Sequence, residues 1–466
     1  MQIPVLSGTY TDQDADFRSS YPVNLVPVPK DNGIAKGYLA PADGIVQVGE
    51  GPGVDRGGFN WNGTYYRVMG SKLVSISSTG VVTVLGDVGG NGQVSFDYSF
   101  DKLAIASSGA LFYFSGTTLD KVTDPDLGTV VDVIWIDGYF LTTDGTSLVV
   151  TDLDDPFAVN PLKYGSSEAD PDPVLGLLKI QNEVCALNRY TIEIFDNVGG
   201  DLFPFQRIEG AMIQKGILGT YCKCEFIDAI AFLGSGKKEA PAIYIGANAT
   251  ATKISTREID QLLATYTELQ LSTSVLEKRI DKGHQHLLVH LPDRTLVYDA
   301  SASAAVADPV WFYLTSGLEG FHQYPARNLV WVFDAWQCGD PGSSRLGRLD
   351  PSLSSQYGEM ARWEFGTTII YGEGNGAVFH ELELVCLTGR VDLGKNPAIS
   401  TSYSLDGETW SDEKFVLIGT IGKRGTRIAW RRQGIMRNWR IQRFKGTTDA
   451  HISISRLEAQ LEPMAY

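Results

Sequence analysis

The chain is poor in the residues that build most chemistry, with five cysteines and six histidines among 466 residues. The cysteines are Cys185, Cys222, Cys224, Cys338 and Cys386. An odd, scattered set of this kind excludes a disulfide framework and fits reduced thiols in a protein folded in a cytoplasm. No apolar run approaches the ~20 residues that a membrane-spanning helix needs. The first basic residue is Arg18 and no apolar segment follows it, so no secretory leader is expected. Charged residues are only 20%, too few for many long solvated helices.

Motifs for small-molecule chemistry are equally thin. Gly234-Ser235-Gly236-Lys237-Lys238 resembles a phosphate loop, but Ala231 stands where the first glycine should be and no Ser or Thr follows the lysine. His284, His286 and His290 share strand parity, with Asp281 nearby, yet His286 and His290 are separated by about 13 Å of extended chain. Cys222-Lys223-Cys224 puts its thiols on opposite strand faces and has no second pair. Asp152, Asp154, Asp155, Glu168, Asp170 and Asp172 form acidic loops without the regular ligand spacing of a calcium loop. These patterns predict no catalytic residue, no metal and no cofactor.

Glycine, by contrast, is plentiful at 50 residues, and hydrophobic residues make up 43%. Many tight turns around an ordinary globular core follow. The net charge of −16 is unevenly spread. Residues 361–466 hold 14 Lys+Arg against 12 Asp+Glu, leaving 25 against 43, or −18, in the remainder. The change of sign predicts a domain boundary near residue 355.

Three segments are therefore expected. Residues 1–45, rich in Pro, Gly and Asp, read as an extended arm laid over another surface. Residues 46–355 repeat strand triplets about every 40 residues, starting near Tyr65, Lys102, Tyr139, Glu183, Asp228, His286 and Leu329. That period predicts a β-propeller of six or seven blades, because a lone blade cannot bury both faces. Asn-Gly and Asp-Gly pairs beginning at Asn62, Asn91, Asp137 and Asp144 predict type I′ hairpins. Ser255-Thr256-Arg257-Glu258 reads as a capping box opening one amphipathic helix over 256–270, with Ile259, Leu262, Leu263, Tyr266 and Leu269 on its apolar face. Residues 356–466 read as a β-sandwich of jelly-roll type.

Two features of the C-terminal region stand out. Ser404-Leu405-Asp406-Gly407-Glu408-Thr409-Trp410 resembles a shortened Asp-box, whose role is a turn held by Ser and Asp with Trp packed beneath. Residues 414–448 contain ten basic residues and no acidic one, with Trp430 and Trp439 interleaved. Nucleic-acid contact, a solvated face and a docking patch for an acidic partner are the possible readings. Strand alternation points Arg427, Arg431 and Arg440 outward together, and a protein interface is the reading preferred for these three.

Three segments carry a family resemblance. Gln214-Lys215-Gly216-Ile217-Leu218-Gly219-Thr220-Tyr221-Cys222-Lys223 and His290-Leu291-Pro292-Asp293-Arg294-Thr295-Leu296-Val297-Tyr298-Asp299-Ala300-Ser301 resemble signatures of the packaged-DNA stabilisation, or tail-hub, proteins of short-tailed bacteriophages. Tyr21-Pro22-Val23-Asn24-Leu25 is similar to that family's N-terminal arm, and the Arg/Trp-rich stretch to the end of related hub chains. The resemblance implies a structural virion-tail protein with no catalytic residues, folded and assembled in the host cytoplasm. It implies a homo-oligomeric ring, expected to be a hexamer, below the portal and its adaptor. The ring would hold a tail needle or plug, and a tailspike is a further possible partner. Packaged DNA would pass through without sequence-specific binding. The alternatives are a glycan-binding or glycan-cleaving propeller, favoured by the Asp-box and aromatic content, and an intracellular scaffold propeller.

Overall fold

The strand triplets assemble because the second strand of each unit is apolar on both sides and needs cover on both sides. Leu103–Ser107, for example, is buried at every residue. The computed structural model describes residues 1–466 apart from 12–16, 31–35, 154, 168, 373–374 and 465–466. Strand makes up 53% of it and helix 5%.

Among the described residues, six four-stranded antiparallel sheets and one five-stranded sheet follow one another as seven blades. Their innermost strands are Asp55–Trp61, Ser95–Tyr98, Asp132–Ile136, Val174–Ile180, Lys223–Phe226, Val275–Asp281 and Arg327–Val332, which adjoin in a ring. Six of the seven starts read from the sequence fall at the second strand of a blade, whereas Leu329 falls in an innermost strand. Blade seven is completed from far away. Its outer strand, Gly44–Glu50, pairs with Arg345–Asp350 and so closes the ring.

Two of the four predicted type I′ turns form, with both central residues at positive φ: Asn62-Gly63 and Asp137-Gly138. Asn91-Gly92 lies in the connection between blades one and two, and Asp144 folds its turn by accepting the amides of Thr146 and Ser147. The single predicted helix is corrected to two short ones, α1 (Arg257–Leu263) and α2 (Glu268–Leu271). The capping box belongs to Thr267 and Gln270 at the start of α2, whereas Thr256 caps α1 without a side-chain bond. Ile259 and Leu263 enter the core, but Leu269, beyond the break, is 79% exposed. A third helix, α3 (Ala300–Val306), is N-capped by Asp299.

Beyond the propeller, two antiparallel sheets enclose a core that includes Trp363, Phe365, Phe379, Trp430 and Phe444. The N-terminal stretch is extended and lies on this same unit. Strands Leu25–Pro29 and Gly37–Pro41 form a hairpin whose Leu39 pairs with Ile454, and Gln2–Ile3 pairs with Leu457 and Glu458. Leu25 and Leu39 are fully buried.

Pro22-Val23-Asn24 stitches the two units together. Val23 donates to Glu364 O at 2.8 Å on the sandwich side, and Asn24 N donates to Tyr313 O at 2.8 Å on blade six. The Asn24 amide donates to Thr315 O at 3.0 Å and Arg362 O at 2.7 Å and accepts from Thr315 N at 3.1 Å. Asn24 sits at φ 52°, a conformation that asparagine tolerates well.

Candidate functional site

Residues 214–223 form the broken inner edge of blade five. Gly216–Ile217 and Lys223–Phe226 pair with successive parts of one strand, Ala229–Ser235, and the chain between them loops out. The glycines exist for backbone contact. A Cβ at Gly216 would lie 2.2 Å from Asn188 O, and one at Gly219 would lie 2.0 Å from Ser272 O. The loop places Tyr221, whose hydroxyl donates to Gln93 O at 2.8 Å, and Lys223, which pairs with Asp132 across two blades. Cys222 is wholly buried, its thiol donates to Leu271 O at 3.3 Å, and burial pushes its pKa up to about 12. Cys224 is partly exposed, and all five cysteines are free thiols.

Tyr221 and Lys223 reach the propeller axis, where a cavity of about 410 Å³ is lined by all seven innermost strands. Its charges are mostly paired: Asp97 with Lys179 at 2.8 Å, Asp132 with Lys223, and Glu225 with Lys278 at 2.8 Å. No arginine among the described residues lines it. Such a cavity has the size of a small-molecule site but lacks the converging cations that bind a phosphate or a sialic acid.

The basic stretch divides between two environments. Strand Ile428–Arg431 packs beside Ala377–Leu387 with Arg431 opposite Glu381. Ile428 and Trp430 point inward, whereas the side chains of Arg431 and Arg427 are 78% and 52% exposed. Arg427 bonds Glu381 and, at 2.7 Å, Glu383, and Arg431 reaches Glu381 at 3.3 Å. The hydrogen bond from Arg427 holds the Glu383 carboxyl below its usual range. The face is thus a mixed-charge one rather than a basic stripe.

Arg440 corrects the expected outward trio, because its side chain is wholly buried. Its guanidinium lies over the rings of Tyr403 at 3.8 Å and Phe379 at 4.3 Å, donates to Gln433 O at 2.6 Å and bonds Gln442 Oε1 at 2.8 and 3.0 Å. Burial brings its pKa down to about 10. Alternation fails as a guide because both faces of Trp439–Thr447 are covered: Arg440, Ile441 and Gln442 are consecutive and all buried. Arg443 lies over Trp410 at 3.9 Å, and Lys445 pairs with Glu413 at 3.0 Å.

The Asp-box turn is structural. Asp406 accepts the amides of Glu408 and Thr409 at 3.0 and 2.8 Å, and Ser404 accepts that of Gly407 at 2.7 Å. The phosphate-loop lookalike is a hairpin turn in which Lys237 pairs with Asp170. Of the acidic loops, Asp154 and Glu168 lie outside the described residues. Asp152 pairs with Lys163 at 2.9 Å, and Asp172 accepts the amide of Tyr190 at 2.6 Å. His290 bonds Glu277 and Thr295, and Asp281 bonds Arg279, so neither joins His284 and His286. The sequence reading missed Asp299, which the pairing of neighbouring strands sets opposite His286.

Comparison with known proteins covers both units. The family described as bacteriophage P22 Gp10, beta-propeller matches residues 1–354, and bacteriophage P22 Gp10, beta-sandwich matches residues 362–462. The tail hub protein gp10 of Salmonella phage P22 is 29% identical over 487 residues, covering 99% of each chain. Among solved structures, the Neurospora crassa Pan2 WD40 domain is similar at 10% identity and a TM-score of 0.42, covering 66% of this chain and 95% of its own. The N-terminal domain of Nup159 has the same identity and TM-score, covering 69% and 97%.

Proposed function

This chain belongs to the bacteriophage P22 Gp10 family, and from that premise we propose that it is a structural, non-enzymatic tail-hub protein of a short-tailed phage. It assembles as a ring of identical subunits below the portal and adaptor, holds the tail needle and helps retain packaged DNA. The observation that carries this reading is the family match in the same order through both units, with near-complete coverage of the P22 hub protein.

The physical features support it. The propeller carries most of the −18 charge outside residues 361–466, so its surface does not hold the genome by phosphate contacts. Its axial cavity of about 410 Å³, lined by paired charges, is far too small to pass duplex DNA, so the DNA path belongs to the assembled ring and not to the propeller axis. Arg427 and Arg431 offer an interface to an acidic surface of a neighbour or the adaptor, whereas Arg440 serves the sandwich core. A glycan-active propeller is disfavoured by the single, structural Asp-box and by an axis without arginine.

Cryo-electron microscopy of the virion tail tests the proposal. Propeller-plus-sandwich subunits are expected in a ring between adaptor and needle. Absence of the chain from purified virions by mass spectrometry overturns it.

A further inference from the structure

The geometry points to a divalent transition-metal site, of the class that takes Zn²⁺, formed by His284, His286 and Asp299. His284 and His286 occupy alternate positions of strand His284–His290 and so share a face. Their rings stack with centroids 5.2 Å apart. His286 pairs in register with Asp299 on the neighbouring strand, which brings the carboxylate onto that face.

Each donor has its other contacts arranged compatibly. One Asp299 oxygen accepts the Ala302 amide at 3.0 Å at the start of α3, which orients the carboxylate. The other oxygen faces both imidazoles, in contact with His284 Nδ1 and 3.3 Å from His286 Nε2. His286 is 7% exposed, and its Nε2 makes no hydrogen bond despite that distance. A buried, unpartnered nitrogen aimed at a carboxylate is costly as a bare contact. It is a normal arrangement for two ligands of one ion.

The separations fit. The three ligand atoms lie within 4.8 Å of one another. A tetrahedral ion with bonds of about 2.0–2.1 Å sets neighbouring donors roughly 3.3–3.5 Å apart, which is the His286–Asp299 spacing. His284 Nδ1, in contact with the same oxygen, turns away from it as the ion enters between them. A cavity of about 280 Å³, walled by the N-terminal hairpin and blade six, opens on the cluster and has room for a water as fourth ligand. Its cations do not compete for Asp299, because Arg279 bonds Asp43 and Asp281, and Lys282 lies 3.4 Å from Asp43. A donor set of two imidazoles and one carboxylate suits zinc better than calcium or magnesium.

The test uses the full chain, stripped with chelator, dialysed against Zn²⁺ and analysed by mass spectrometry for metal content. About one equivalent per chain is expected, with affinity at least ~10-fold lower in His286→Asn and His284→Gln. Asp299→Asn keeps the oxygen that caps α3 and should lose zinc in the same way. Cobalt substitution should give visible absorption without thiolate charge transfer, which separates this cluster from the cysteines. Below about a tenth of an equivalent in the wild type, the histidines merely share Asp299 as a hydrogen-bond acceptor and the site does not exist. Unchanged zinc in all three variants, or a thiolate band, likewise overturns it.

Discussion

Arg67 and Asp55 form a two-pronged ion pair, 2.6 and 2.7 Å, in which both side chains are wholly buried. The pair lies within blade one, against the innermost strand of blade seven. Arg67 also donates to Asn328 O at 3.1 Å, and Asn328 donates to Asp55 at 2.7 Å, so two strands of blade one are tied to blade seven. Burial alone lowers the Arg67 pKa, but Asp55 and Tyr65 together more than reverse this and keep the guanidinium charged. Asp55→Ala leaves that charge without its partner, and a loss of about 3–5 kcal/mol is expected in urea denaturation. Replacing both residues by apolar ones should cost less than Asp55→Ala alone, since no orphan charge remains.

Asn24 is the corresponding stitch between propeller and sandwich. Asn24→Ala removes partners from three backbone groups, the two of Thr315 buried and that of Arg362 partly so, and a loss of about 2–4 kcal/mol is expected. The melting profile should separate into two transitions as the units uncouple, which differential scanning calorimetry detects. Asn24→Gly keeps the positive φ but not the bonds, so it should uncouple the units as well.

Arg440 predicts a stability effect and not a binding effect. Arg440→Ala opens a cavity between Tyr403 and Phe379 and strands Gln442, costing about 3 kcal/mol or more. Arg440→Lys should recover only part of this, because an ammonium cannot lie flat between two rings while bonding Gln442 and Gln433. Both follow from thermal denaturation monitored by circular dichroism, with ring assembly unchanged for whatever fraction is folded.

Arg427→Glu with Arg431→Glu should leave the subunit folded, because both side chains are largely solvated, and should weaken ring or adaptor assembly by on the order of 10-fold. Analytical ultracentrifugation reads this. Adding Glu381→Arg restores the intrachain pairs. If assembly then recovers fully, these arginines serve the sheet and not an interface. The wild-type protein should not retard free DNA at physiological salt.

His451 predicts acid sensitivity at the junction. It accepts or donates a 2.7 Å bond with Ser354, and burial, reinforced by Arg390, lowers its pKa from 6.5. Asp43 opposes that shift and Lys282 adds to it. A depressed histidine is protonated more readily in the unfolded chain, so its contribution is complete above pH 6.5 and is lost as pH falls through the folded-state value. His451→Gln should flatten the stability profile below pH 6.5, measured by denaturant midpoints across pH.

The parts of this architecture visible in the sequence are those encoded locally. Strand triplets such as Leu103–Ser107 with Ala110–Phe114 announce themselves by apolar runs between turns, so the propeller class was legible. The pairing of Gly44–Glu50 with Arg345–Asp350 has no local signature, and neither does Asp299 meeting His286 until strand register is known. Arg440 was misread because alternation assumes one wet face, and that strand has none at this point. The helix pattern ran through a break because Tyr266 and Leu269 keep the spacing while Thr267 starts a new helix.

The order of synthesis gives the closing strand a further meaning. Gly44–Glu50 emerges from the ribosome before any innermost strand of the blades, but its partner Arg345–Asp350 follows about 300 residues later, roughly 15–60 s at ordinary translation rates. During that interval six blades can stack while the ring stays open, with one strand edge waiting. Closure therefore reports that the reading frame has been followed to at least residue 345. A chain broken off earlier keeps its open edge and cannot present the closed disc. Incomplete subunits would thus be excluded from the proposed ring of copies before any proofreading factor has to recognise them.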